Sequence, residues 1–154
     1  MSFEAASDYL RNAGYADRII VLEQSSATVA LAAKALGTEE ARIAKTLSFM
    51  VDDVPILIVT AGTARIDNHK YKEEFHKKAK MMSVEQLSEY VGHDPGGVCP
   101  FGIKEQCVQV YLDESLKAFE EVYPACGSSN SAVRLSLEEL ETCSGFCKWI
   151  NVTK

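Results

Sequence analysis

Lys45 is the side chain most able to do chemistry here. It sits in the stretch Arg42 to Val51, which reads RIAKTLSFMV. In a strand, alternate residues share a face. Ile43, Lys45, Leu47, Phe49 and Val51 therefore point one way, and Ala44, Thr46, Ser48 and Met50 the other. Lys45 is the one charge on the more apolar row. Burying an ammonium without a partner costs several kcal/mol, so Lys45 is expected to meet an anion, a polar ligand or a water-filled pocket. A lysine that snorkels at a strand end or edge is the ordinary alternative.

Two glycine turns could supply backbone donors. Gly96-Gly97-Val98-Cys99-Pro100-Phe101-Gly102 begins with adjacent glycines, which let the backbone approach a ligand closely. N–H groups in such a loop can point at a carbonyl or phosphate oxygen, although a plain glycine-proline turn explains the same residues. Cys126-Gly127-Ser128-Ser129 is the second turn, where a glycine could simply end a helix. A functional reading would use the Gly127 and Ser128 backbone and the Ser128 hydroxyl.

Thiol and metal chemistry are less well supported. Cys99 lies inside the glycine loop and could act as a nucleophile with His93 as base, but no third orienting residue offers itself. Cys143 and Cys147, or His69 and His76, match no common zinc spacing. No metal and no cofactor is implied, and no GxSxG, Walker or Rossmann pattern occurs.

Charge is uneven. Residues 64–80 hold six basic and three acidic side chains, leaving about −9 for the rest of a chain whose total is −6. That patch could receive a phosphate backbone. A solvated helix with i,i+4 pairs Glu73–Lys77 and Glu74–Lys78 explains it equally well.

The elements that must position these residues fit one domain. The 154 residues are 47% hydrophobic and 25% charged, which excludes a disordered chain. No apolar run approaches the roughly 18–20 residues of a membrane span. The N-terminus lacks the basic and apolar regions of a secretory signal. An acidic chain is a poor general nucleic-acid coat, so neither DNA nor a membrane is an expected partner. Five cysteines without a CxxC pair suggest free thiols in a reducing cytoplasm.

Helices are expected over 3–12, over the alanine-rich segment ending at Gly37, from Asn68 to about Lys78, from Ser83 to about Gly92, and from Asp113 to about Val122. Ser136 with Glu139 marks one more helix start. Strands are expected over 18–22, 42–51, 54–61, 107–112, 131–135 and 148–152, with Asp52-Asp53 as a hairpin turn. Strands and helices do not strictly alternate. A mixed α+β (α/β) single domain follows, with a mixed sheet or partly closed barrel and helices packed outside.

In order along the chain, these motifs resemble the YbaK-like, prolyl-tRNA-synthetase-associated aminoacyl-tRNA deacylases. The landmarks are TVALAAKALG (28–37), IAKTLSF (43–49), the apolar strand ending at Gly62, RID with Lys70, GGVCPFG (96–102), Asp113 with Ser115-Leu116, and Gly127-Ser128. The resemblance implies hydrolysis of the ester that joins a wrong amino acid to a tRNA. The substrate would be a small amino acid such as alanine or cysteine on tRNA for proline. It implies a free-standing domain over residues 1–154 that acts in trans. Its partners would be the mischarged acceptor end and prolyl-tRNA synthetase. Carried over by position, Lys45, Gly96 and Gly97 are the catalytic set, and Thr28, Ser48, Pro100, Phe101, Gly127 and Ser128 bind substrate. Arg134 stands near where some members have an acidic residue, a departure that bears on which amino acid is removed. The alternatives are a non-catalytic module that binds tRNA or synthetase, and a Cys99-dependent hydrolase.

Overall fold

The centre of the computed structural model, which describes residues 2–154, is the hairpin of β2 (Ile43–Val51) and β3 (Val54–Ala61). It turns at Asp52, whose φ of 54° is left-handed, and its register pairs Lys45 with Thr60 and Val51 with Val54. Apart from Val54, every residue of β3 is buried, as expected for a central strand covered on both faces. Leu57 and Val59 join the larger core with Leu10, Phe101, Leu112 and Leu140. Ile56 and Ile58 face the other way, into a cluster with Phe49, Tyr71, Ile150 and Val152.

Around the hairpin the sheet grows in both directions. β4 (Gln109–Asp113) runs parallel to β3, and β8 (Lys148–Ile150) parallel to β4. On the other side β5 (Glu121–Pro124) runs parallel to β2, and β7 (Leu135–Ser136) antiparallel to β5. The order is β7-β5-β2-β3-β4-β8, beside a separate antiparallel pair of β1 (Ile19–Val21) and β6 (Ser131–Val133). α1 (Ser2–Asn12), α2 (Val29–Leu36), α3 (Asn68–Phe75), the short α4 (Val84–Gln86) and α5 (Leu137–Ser144) complete the domain. This is the expected mixed α/β domain, with a curled six-stranded sheet. No helix among the described residues is long and apolar enough to cross a membrane.

Local sequence sets most of the helix starts. The Thr28 hydroxyl accepts the Leu31 N–H at 3.2 Å, and Asp67 accepts from His69 and Lys70. Ser83 with Gln86, and Ser136 with Glu139, close capping boxes. Three expectations are corrected. The helix expected from Asp113 to Val122 is a five-residue 3-10 turn, Glu114–Ala118, followed by β5. Asp113 does cap that turn, accepting the Ser115 N–H at 3.0 Å, but Val122 is fully buried in a strand. α3 stops at Phe75, because His76 turns left-handed at φ 62°. The strand expected over 131–135 divides at Arg134, one part pairing with β1 and the other with β5.

A buried carboxylate ties down the C-terminal segment. Asp113, fully buried, accepts the Val152 N–H at 2.9 Å and the Thr153 hydroxyl at 2.7 Å. The Lys70 ammonium donates to the Thr153 carbonyl at 2.8 Å. These contacts fix the segment from 64 to 70, which borders Lys45.

Candidate active site

The site arises from a gap beside β2. β5 pairs with β2 only at Ile43 and Ala44. The chain at 80–82 covers the same strand again from Ser48 to Met50, with the Met82 N–H donating to Ser48 and the Met50 N–H to Lys80. Between them the strand borders a cavity of about 100 Å³. Its wall includes Lys45 and Thr46 from β2, Ser26 and Thr28 before α2, Gly96 and Val98 from the glycine loop, and Tyr123 from β5. Ala32, Ala44, Ala125 and Ala132 keep the lining small and apolar.

Lys45 reaches back to donate to the Ala64 carbonyl. Its pKa lies below that of an ordinary lysine, first because burial disfavours the ammonium and second because Arg65 adds a like charge. The expected row is seen from Leu47 onward, whereas Ile43 packs with Ala32 and Ala33 of α2. Leu47, Phe49 and Val51 pack in the cluster with Ile56 and Ile58, and Lys45, between them and Ile43, turns to a carbonyl beside the cavity.

The two glycine turns dock on each other. A Cβ on Gly97 would lie 2.3 Å from the Ser128 nitrogen and 2.4 Å from the Gly127 carbonyl carbon, so only glycine fits there. The Gly97 carbonyl accepts the Gly127 N–H at 3.0 Å, and the Gly97 N–H donates to Asp94 at 2.8 Å. The Gly97 donor is therefore committed to the loop itself, and Gly96 is the glycine that borders the cavity. The Ser128 hydroxyl donates to Asn130 at 3.0 Å and shares a 2.5 Å hydrogen bond with the Ser131 hydroxyl, and Ser131 lines the wall. At the far side of the dock, the Ser2 hydroxyl donates to the Gly127 carbonyl and accepts the Asp94 N–H.

Thr28, Lys45 and Gly96 thus meet at one cavity, with Gly97, Gly127 and Ser128 packed behind it. Ser48, Pro100 and Phe101 are not among the lining residues. Ser48 is buried further along β2, Phe101 is a fully buried core residue, and Pro100 borders a separate shallow hollow beside Tyr9. Arg134 also lies outside the lining, 3.9 Å from Glu121 at the surface.

The sequence pattern did not single out Ser26, Thr46, Tyr123 or Ser131, which also line the cavity. The Ser26 and Thr46 hydroxyl oxygens are buried and have no hydrogen-bond partner among the described residues. Both residues line the cavity, while the two oxygens themselves are closed off from solvent, and a buried hydroxyl left unpaired costs about 1–3 kcal/mol. The only advance sign was the adjacency of Ser26 to the start of α2 and of Thr46 to Lys45.

Cys99 and His93 form a different kind of pair. The Cys99 Sγ lies 3.5 Å from the His93 Nε2, which lies 2.7 Å from the Phe101 carbonyl. Cys99 is fully buried, and burial pushes its thiol far above the range in which a thiolate forms. Burial likewise lowers the His93 pKa. Neither residue lines the cavity.

The basic segment departs from its expected pairing. Because α3 ends at Phe75, Glu73 pairs with His69 at 2.8 Å, Glu74 with Lys148 at 2.7 Å, and Lys77 with Asp52 at 3.4 Å. Lys72 and Lys78 border a surface groove with Asn68 and His69.

Comparison with known proteins places this arrangement. Residues 23–143 match the aminoacyl-tRNA editing domain model. The uncharacterized protein YwhH of Bacillus subtilis (strain 168) is 45% identical over 155 aligned positions, covering 100% of this chain and 98% of that one. A proline–tRNA ligase of Shouchella clausii (strain KSM-K16) is 33% identical over 105 residues, covering 68% of this chain and 18% of the ligase. A crystal structure described as a candidate trans-editing enzyme for prolyl tRNA synthetase superposes with a TM-score of 0.88 at 27% identity, over 99% of this chain and 97% of that one. The chain belongs to the aminoacyl-tRNA editing domain family, of the YbaK-like kind that its ordered motifs resemble.

Proposed function

We propose that the protein hydrolyses the ester of mischarged aminoacyl-tRNA, acting as a free-standing editing domain on a small amino acid such as alanine or cysteine attached to tRNA for proline. The observation that carries this reading is the single cavity bordered by Lys45, Gly96, Ser26 and Thr46. Lys45 holds the terminal phosphate or the carbonyl side of the ester. The Gly96 backbone faces the oxygen that becomes negative when water adds, and one such donor is typically worth 10²–10³-fold in kcat. The alanine-rich wall admits a short side chain. Selection by size alone is shallow, about 1–3 kcal/mol per methylene.

The cavity wall carries no carboxylate or histidine among the described residues. An aminoacyl ester is already activated, and its neighbouring ribose hydroxyl can direct the attacking water. Lys72 and Lys78 in the α3 groove receive the phosphate backbone leading to the acceptor end. Ala64 and Asn68 are four residues apart, so at most about 14 Å of chain separates the groove's first residue from the carbonyl that holds Lys45. Prolyl-tRNA synthetase is the natural partner for such a protein, and the cytoplasm its place of work.

The test is deacylation of alanyl- and cysteinyl-tRNA for proline beside correctly charged prolyl-tRNA. Release of one mischarged amino acid, with the prolyl ester spared, supports the reading and names the substrate. No release above the spontaneous rate from any of the three refutes it and leaves a binding module.

A further inference from the structure

Among the described residues, the cavity wall carries no negatively charged side chain. Lys45 is on its wall, and Arg65 lies close enough to disfavour the Lys45 ammonium. Thr28, also on the wall, caps the N-terminus of α2, the positive end of a helix dipole. The carboxylates on the surrounding elements turn outward. Glu23 precedes the Ser26 turn, Glu39 and Glu40 precede β2, and Asp94 precedes the glycine loop; all four are exposed and none borders the cavity. Glu121 at the start of β5 faces Arg134 instead. The polar side chains on the wall besides Lys45, namely Ser26, Thr28, Thr46, Tyr123 and Ser131, carry hydroxyls and no carboxylate. A hydroxyl can donate to an amine or hydroxyl lone pair and can accept from either. It cannot neutralise an ammonium taken from water into a site already holding positive charge.

We infer that the cavity takes the acyl group with its α-substituent uncharged, and so hydrolyses α-hydroxyacyl esters of the same RNA end as well as α-aminoacyl ones. This rests on the ester-hydrolase reading and extends its substrate class. In the α-hydroxyacyl reaction, water adds to the ester carbonyl carbon and the bond from that carbon to the ribose oxygen breaks. The ribose oxygen takes a proton, and the hydroxy acid leaves as its carboxylate with one proton released to solvent. No oxidant, reductant or further reactant is required.

The experiment uses the whole protein with two esters on one tRNA for proline: alanyl, and the lactyl ester made from it by replacing the amine with a hydroxyl. Values of kcat/KM are read from pH 6 to pH 8 after subtraction of spontaneous hydrolysis. An α-amino group titrates near 8. The ratio of the alanyl to the lactyl value should therefore rise roughly tenfold per pH unit below that point, with the lactyl value the larger at pH 6. Lys45 is common to both reactions, so its own titration cancels in the ratio. A ratio that does not change with pH, or a lactyl ester left uncleaved while the alanyl ester is hydrolysed, overturns the inference. If neither ester is cleaved above the spontaneous rate, the deacylase reading itself falls and the inference with it.

Discussion

Cys99 with His93 in the core, and Lys45 with Thr46 along the cavity wall, place reactive side chains in opposite environments. The thiol and imidazole sit 3.5 Å apart, closer to a familiar catalytic pair than anything at the cavity. Yet Cys99 has no exposure, its thiol is held protonated, and the His93 ring is tied to the Phe101 carbonyl. Lys45 and Thr46 form no nucleophile–base pair, but they border open space and Thr46 leaves a polar atom unsatisfied. Residue types that could react do not define the site. A route for substrate and unmet hydrogen-bonding capacity do.

The largest expected effect is at Lys45. Lys45→Met should lower kcat/KM at least 100-fold while leaving the melting temperature at neutral pH unchanged or higher, because it removes a half-buried charge. Its pKa is depressed in the folded state, so the unfolded chain holds the proton to higher pH. Stability of the wild type should therefore rise with pH between the lowered folded value and the unfolded value of about 10.4, and Lys45→Met should lose that rise. Activity should fall as pH climbs through the same lowered value, and Lys45→Arg should move that limb upward. Urea melts and rate profiles across alkaline pH check both signs.

Gly97→Ala comes next. The added methyl has no room against the Gly127 and Ser128 backbone, so the two turns must separate. A loss of about 10- to 100-fold in activity is expected, with a lower melting temperature, measured by single-turnover deacylation and thermal melts. Thr46→Val removes an unpartnered hydroxyl at nearly constant shape. It should cost roughly tenfold in kcat/KM and cost no stability, since no hydrogen bond within the protein is lost. Stability that falls along with activity would place Thr46 among ordinary packing residues. The smallest effect belongs to Cys99→Ser. It should leave kcat within about twofold and lower stability by about 1–3 kcal/mol, since it places a hydroxyl in an apolar core.

How much of this the sequence displays depends on how local each cause is. The Lys45 face follows from period-two alternation, and the caps at Thr28, Asp67, Ser83 and Ser136 follow from residues three positions apart, so both are legible. β5 is not. Asp113 followed by Glu114 and Ser115 looks like any helix start, and only pairing with Ile43 and Ala44, some eighty residues earlier, makes Glu121–Pro124 a strand. The orphaned hydroxyls are hidden for the same reason. The cavity that Thr46 lines lies where β5 has left β2 after Ala44 and the chain near Met82 takes over only at Ser48. The basic segment's free groove depends on where α3 ends, and that is decided by the turn at His76.

The most direct measurement is single-turnover deacylation of one mischarged tRNA for proline by wild type, Lys45→Ala and Cys99→Ser in parallel. Release by wild type and by Cys99→Ser at similar rates is expected, with at least a 100-fold loss for Lys45→Ala. Loss of activity in Cys99→Ser with Lys45→Ala unimpaired would contradict the role given to Lys45 and move the chemistry to the buried thiol.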